Sequence, residues 1–227
     1  HKWRLKQIIL DALGPSVTTD ASRYQIDRLV LEAQIFLNHE LFRPARNALM
    51  RARRLCQQVD DISRLYDVIW IELHVVRRSV KKRLASEIAE LQDQLDGAMT
   101  ALQLRSQLTR LHDRAYILLR EMGDSPGPEK LVQYHEIAAA ARSHESEVSG
   151  FFNTRIFHKT MVYCAYAAGN MEVVLEHRKA ILDLFLKWPK IAENKADELV
   201  KAYAYILAVC YLLEDKDSIK QLEDRIC

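Results

Sequence analysis

A chain of 227 residues, 49% of them hydrophobic, can bury roughly 70% of its unfolded surface, which excludes a disordered polymer. Only 6 Gly and 5 Pro occur while Leu, Ala, Glu, Arg and Lys dominate, so turn-rich sandwiches and barrels give way to an all-α fold. The net charge of +2 is too small to point to nucleic acid, which is not expected as the partner, and the longest apolar stretch, residues 203 to 213, falls short of the ~20 residues a membrane span needs.

Helical periodicity starts at once. A first helix is expected over about 2 to 13, stopped by Gly14-Pro15, and the next carries Tyr24, Ile26, Leu29, Val30, Ala33, Phe36 and Leu37. Its partner begins near Arg43-Pro44, with proline tolerated in the first turn. On that partner Ala45, Ala48, Leu49, Ala52, Leu55, Cys56 and Val59 form one stripe, and Arg43, Arg46, Arg51, Arg53 and Arg54 are expected on the opposite, solvated side. A face of five arginines is also chemistry for phosphates or acidic peptide, which keeps an anionic partner open as an alternative. A third helix spans about 61 to 78 and ends in the basic run 77 to 83.

From Leu84, apolar residues at 84, 88, 91, 95, 98 and 102 make one heptad seam, and 104, 108, 111, 115, 118 and 122 make a second, shifted by one residue. Gly97 costs only ~1 kcal/mol inside a helix, so one long helix of ~40 residues is expected rather than two. It packs against neighbours in its own chain, with a homodimer through the same seam as the alternative. Residues 123 to 128 are the strongest interior breaker and a candidate hinge between 1–122 and 129–227. A short helix over about 129 to 142 comes next. Helices over 151 to 168 and 171 to 188 then form a hairpin around Gly169-Asn170, and residues 196 to 214 begin a further pair whose second helix starts near Asp217.

The spacing of Ala33, Phe36, Phe42, Ala45, Leu49 and Ala52 resembles the tetratricopeptide repeat, in which small residues stand where two antiparallel helices approach and larger ones fill the hollows beside them. The resemblance covers residues 26 to 58 and extends to the following hairpin only in length and alternation. The hairpin at 151 to 188 resembles a repeat unit again through Ala165, Ala167, Ala168, Gly169 and the terminal Pro189, although His177 then falls where a small residue is usual. The chain is similar to divergent bacterial helical-repeat proteins with no assigned activity. The resemblance implies a right-handed superhelix of stacked helix pairs over 1–227, one helical-repeat domain of a longer chain, that binds a protein or peptide on its concave side. First helices of each pair line that groove, which nominates Asp27, Gln34, Leu37 and Asn38 from the matched unit, then Arg155, Lys159, Tyr163, Tyr166, Lys201, Tyr203 and Tyr205 from later ones. Tyrosine and arginine suit contact because they combine area with directed hydrogen bonds.

No reactive motif accompanies the binding pattern. Cys56, Cys164, Cys210 and Cys227 form no CxxC pair, and the first three lie in apolar helical stretches, as reduced cysteines of a cytoplasmic protein do. The eight histidines include no HExxH, and no GxSxG, phosphate loop or dinucleotide glycine pattern occurs. No metal, cofactor or catalytic residue is expected, and a non-enzymatic scaffold is. The second class of function is an effector-sensing or dimerising domain of a bacterial multidomain regulator.

Overall fold

The computed structural model describes residues 21–78, 84–121 and 127–215. The regular elements among them are all helical: α1 (Ala21–Asn38), α2 (Phe42–Gln58), α3 (Ile62–Arg78), α4 (Leu84–Arg120), α5 (Pro128–Arg142), α6 (Phe151–Ala167), α7 (Met171–Lys187), α8 (Pro189–Asn194) and α9 (Ala196–Leu212). The helix expected over 2 to 13, the basic residues 79–83, most of the breaker at 123–128, and the helix from Asp217 to Cys227 lie outside the described residues. Contacts divide the chain into two compact units, His1–Leu102 and Gln103–Cys227, and the division falls inside α4.

In the first unit α1 packs on α2 and α2 on α3. Ala33, Ala45, Leu49 and Ala52 are fully buried, with Phe36 and Phe42 half-buried beside them. The small side chains let the helix axes approach, and Leu49 fills the space they leave. Ile69, Leu73 and Val76 of α3 close a second core with Leu91 of α4. Cys56 belongs to the α2 stripe, and burial, assisted by the Asp61 charge, pushes its thiol up to about 12. It packs as a small hydrophobe, and burial disfavours its thiolate.

In the second unit Leu104, Leu108 and Ala115 of α4 share a core with Tyr134, Ile137 and Ala141 of α5 and with Phe157, Met161, Cys164 and Ala167 of α6. Both heptad seams therefore sit on one 37-residue helix, since the buried positions follow first 91 and 98, then 104, 108 and 115. Helix α6 packs on α7, and α7 on α9. Phe151 and Phe185 meet edge to face with centroids 5.0 Å apart, and both are buried. The hairpin does not simply end at Pro189. That residue is exposed and opens the short helix α8, because a ring-fixed φ and a missing N–H suit a first helical turn.

One device recurs where four helices end. The residue two beyond the helix adopts a positive φ, and the next N–H donates back to a carbonyl five residues earlier: Leu41 to Phe36, Asp61 to Cys56, Asn170 to Ala165 and Asp215 to Cys210. Gly169 fits the left-handed position without cost, whereas Glu40, Asp60 and Glu214 hold it at a penalty of roughly 1–2 kcal/mol. Tight closures of this kind keep the connections between successive helices to a few residues.

Candidate functional site

The face of α6 carries Arg155, Lys159 and Tyr163 at intervals of four, a spacing that aligns side chains along one side of a helix. On α9, Glu198, Lys201, Ala202 and Tyr205 obey the same rule, and Arg178, Ile181 and Phe185 of α7 complete the walls. Together these residues, Tyr163 excepted, line a cavity of about 310 Å³. Four of the nominated groove residues, Arg155, Lys159, Lys201 and Tyr205, thus converge in one place.

The cavity is strongly positive. Arg155 pairs with Glu198, whose other oxygen lies 3.3 Å from Lys195 Nζ. Arg155 also stands 5.8 Å above the Phe185 ring and 6.0 Å above Phe151, and Arg178 lies 4.2 Å above the Tyr205 ring. The aromatic faces support both guanidinium groups, of which Arg155 is engaged by Glu198. Burial, reinforced by Arg155, Arg178, Lys195 and Lys201, pushes the Lys159 ammonium down to about 8. Burial likewise lowers both arginines from their usual range. The Lys159 shift records, besides burial, cationic charge that the single carboxylate does not balance.

A larger groove of about 850 Å³ adjoins this pocket and shares Arg178 and Tyr205 with it. Leu119, Val162, Tyr163, Tyr166, Val174, Val209 and Leu212 give it an apolar and aromatic lining. Tyr163 packs against two rings of α4, His112 at 5.3 Å and Tyr116 at 5.9 Å, while Tyr166 and Tyr205 are about half exposed. Burial raises the Tyr163 hydroxyl, so it remains a neutral donor and acceptor.

The residues nominated in the first unit do not gather in this way. Asp27 is engaged by Arg64 of α3 at 3.0 Å, Gln34 and Asn38 are exposed, and Leu37 is half-buried. A cavity of about 580 Å³ in that unit is lined by Gln25, Arg28, Leu29, Glu32, Arg51, Arg54, Leu55 and Gln58, and by none of those four. The expected arginine face of α2 requires a correction. Arg43, Arg51 and Arg54 are exposed, but Arg46 and Arg53 turn to Glu72 of α3, at 4.0 and 3.5 Å. Arg46 also pairs with Glu87, and Arg53 donates to Gln94 at 3.0 Å. The reason lies on α3, where Glu72 occupies the buried stripe of Ile69, Leu73 and Val76, and a carboxylate 1% exposed draws cations to it.

His177, out of place in the repeat pattern, meets His158 of α6 with their Nδ1 atoms 3.0 Å apart. One ring donates and the other accepts, so the accepting ring is neutral. Burial and then the His177 neighbour push His158 down to about 4, and burial also lowers His177. Between pH 6.5 and 4 the unfolded chain binds a proton that folded His158 does not, so stability must fall on acidification through that window. Thermal melts should show it, and His158→Gln should flatten the slope between pH 6.5 and 5, above the ordinary carboxylate range. An unchanged slope in that variant would assign the acid sensitivity elsewhere.

No group of three or more His, Cys, Asp and Glu suited to a metal ion occurs among the described residues, and no described helix is long and apolar enough to cross a membrane. Comparison with protein-family models, with curated proteins and with solved structures finds no match.

Proposed function

We propose that this chain is a tetratricopeptide-like helical-repeat scaffold, not an enzyme, and that it binds an extended acidic peptide of a partner protein on the Gln103–Cys227 unit. The observation that carries this reading is the junction of the two cavities: a cationic pocket of Arg155, Lys159, Arg178 and Lys201 opens into an aromatic groove through the shared Arg178 and Tyr205. Opposite charge steers the approach and fixes register, while the tyrosines supply contact area at low entropy cost. An acidic side chain enters the pocket, and the aliphatic or aromatic residues beside it lie against Tyr163, Tyr166 and Leu212.

Panning a random peptide library on the purified chain tests this. Enriched sequences should combine Asp or Glu with nearby aromatic or aliphatic residues, and their affinity should weaken as salt rises. Joint Arg178→Glu and Lys201→Glu replacement should reduce binding at least about tenfold, through like-charge repulsion of the peptide, while Arg51→Glu with Arg54→Glu leaves it unchanged. Enrichment of basic peptides would overturn the acidic-peptide reading, and loss of binding through the second pair alone would move the working surface to the α2 face.

A further inference from the structure

Five cationic side chains, Arg155, Lys159, Arg178, Lys195 and Lys201, surround one carboxylate, Glu198. Glu198 engages Arg155 and Lys195, which leaves Lys159, Arg178 and Lys201 as the cations of the pocket lining that it does not pair. Lys159 and Lys201 make no hydrogen bond or ion pair among the described residues, and Arg178 Nε is buried with no hydrogen-bond acceptor among them. A buried donor without an acceptor is costly, and it is satisfied when a ligand oxygen arrives.

The charge and the donor count discriminate between anions. A carboxylate brings one negative charge and two oxygens, whereas a phosphate monoester brings −1.5 to −2 at neutral pH and three acceptor oxygens. Three separate donors converging on a small basic cavity match the second set. The Tyr205 ring beneath Arg178 fixes the guanidinium before the ligand arrives, so little side-chain entropy is lost on binding. A cavity of about 310 Å³ holds a head group and not a whole peptide, and the adjoining groove accommodates the neighbouring peptide residues.

We propose that the pocket lined by Lys159, Arg178 and Lys201 is an anchor for a phosphate monoester on the bound peptide, a phosphoserine or phosphothreonine, with apolar residues of the peptide running into the tyrosine groove. This rests on the proposed peptide-binding function and adds the identity of the anchoring group. The resident Glu198 then has a defined part: it keeps Arg155 from competing for the ligand and holds Lys195 at the rim. Phosphorylation of the partner becomes the event that sets occupancy.

The test uses the full chain and three versions of one library-selected acidic peptide, with Glu, Ser or phosphoserine at the anchoring position, together with inorganic phosphate as a free probe. Calorimetry should give the phosphoserine form about tenfold higher affinity than the Glu form, as one to three added charge-assisted hydrogen bonds allow, and the Ser form should bind weakest. Inorganic phosphate should compete with the phosphoserine peptide at one site. Arg178→Lys, which keeps charge but loses the planar fork, and Lys201→Gln should each erase most of the preference for phosphoserine over Glu, while Tyr166→Ala weakens both peptides equally. Circular dichroism identifies any variant that fails to fold, and the Arg178→Lys result then decides. Equal affinity for the Glu and phosphoserine forms overturns the phosphate anchor and leaves the peptide groove standing. Binding of inorganic phosphate with no binding of any peptide, lost in Lys201→Gln, supports the anion site and overturns the peptide reading.

Discussion

Replacing Arg46 and Arg53 together with alanine should destabilise the His1–Leu102 unit by about 3–5 kcal/mol, the usual consequence of leaving a buried charge without its cations. Glu72 is 1% exposed between α3 and α2, and both arginines reach it from α2. The reverse replacement differs in sign. Glu72→Met removes the buried charge and fills its space, while Arg46 retains Glu87 and Arg53 retains Gln94, so the change should be neutral or stabilising by about 1–4 kcal/mol. Urea titration followed by the fluorescence of Trp70, which lies on the same helix, measures both. Equal losses in the two variants would mean that the ion pairs themselves, and not the desolvated carboxylate, set the energetics.

Phe185→Ala should cost the Gln103–Cys227 unit about 3–5 kcal/mol, since a fully buried ring leaves a cavity that the helices cannot close. The ring packs edge to face on Phe151 and supports the Arg155 guanidinium, so the same change should also loosen one wall of the basic pocket. Phe185→Leu keeps most of the volume and should cost less than half as much. The comparison in denaturant separates the two effects: a loss of peptide affinity in Phe185→Leu, with stability largely kept, assigns the ring to holding Arg155.

The helical architecture is legible in the sequence because its signals are local. The alanine spacing at 33, 45 and 52 specifies close helix approach, and unbroken heptad spacing from Leu84 onward specifies the long helix, which tolerates Gly97 at a small cost. Arg155, Lys159 and Lys201 are nominated through the repeat resemblance, which puts them on the first helices of pairs, and the structure brings the three to one cavity. Arg178 and Glu198 are not, since only the packing of α7 and α9 carries them into the same cavity. The splitting of the α2 arginines had a visible sign: Glu72 stands three residues after Ile69 and four before Val76, inside the buried stripe. A carboxylate at such a position demands cations from a neighbouring helix, and α2 offers Arg46 and Arg53 seven residues apart on one side. The structure pairs His177 with the ring of His158.

Amide hydrogen exchange of the chain with and without a library-selected acidic peptide tests peptide binding by the Gln103–Cys227 unit most directly, because it reports where binding occurs without altering a residue. Exchange should slow within Phe151–Ala167 and Ala196–Leu212, the helices whose side chains line the basic pocket and the tyrosine groove, and Phe42–Gln58 should be unaffected. Slowed exchange confined to Phe42–Gln58, with α6 and α9 unchanged, would contradict that placement and give the exposed arginines of α2 the part proposed for Arg155, Lys159, Arg178 and Lys201.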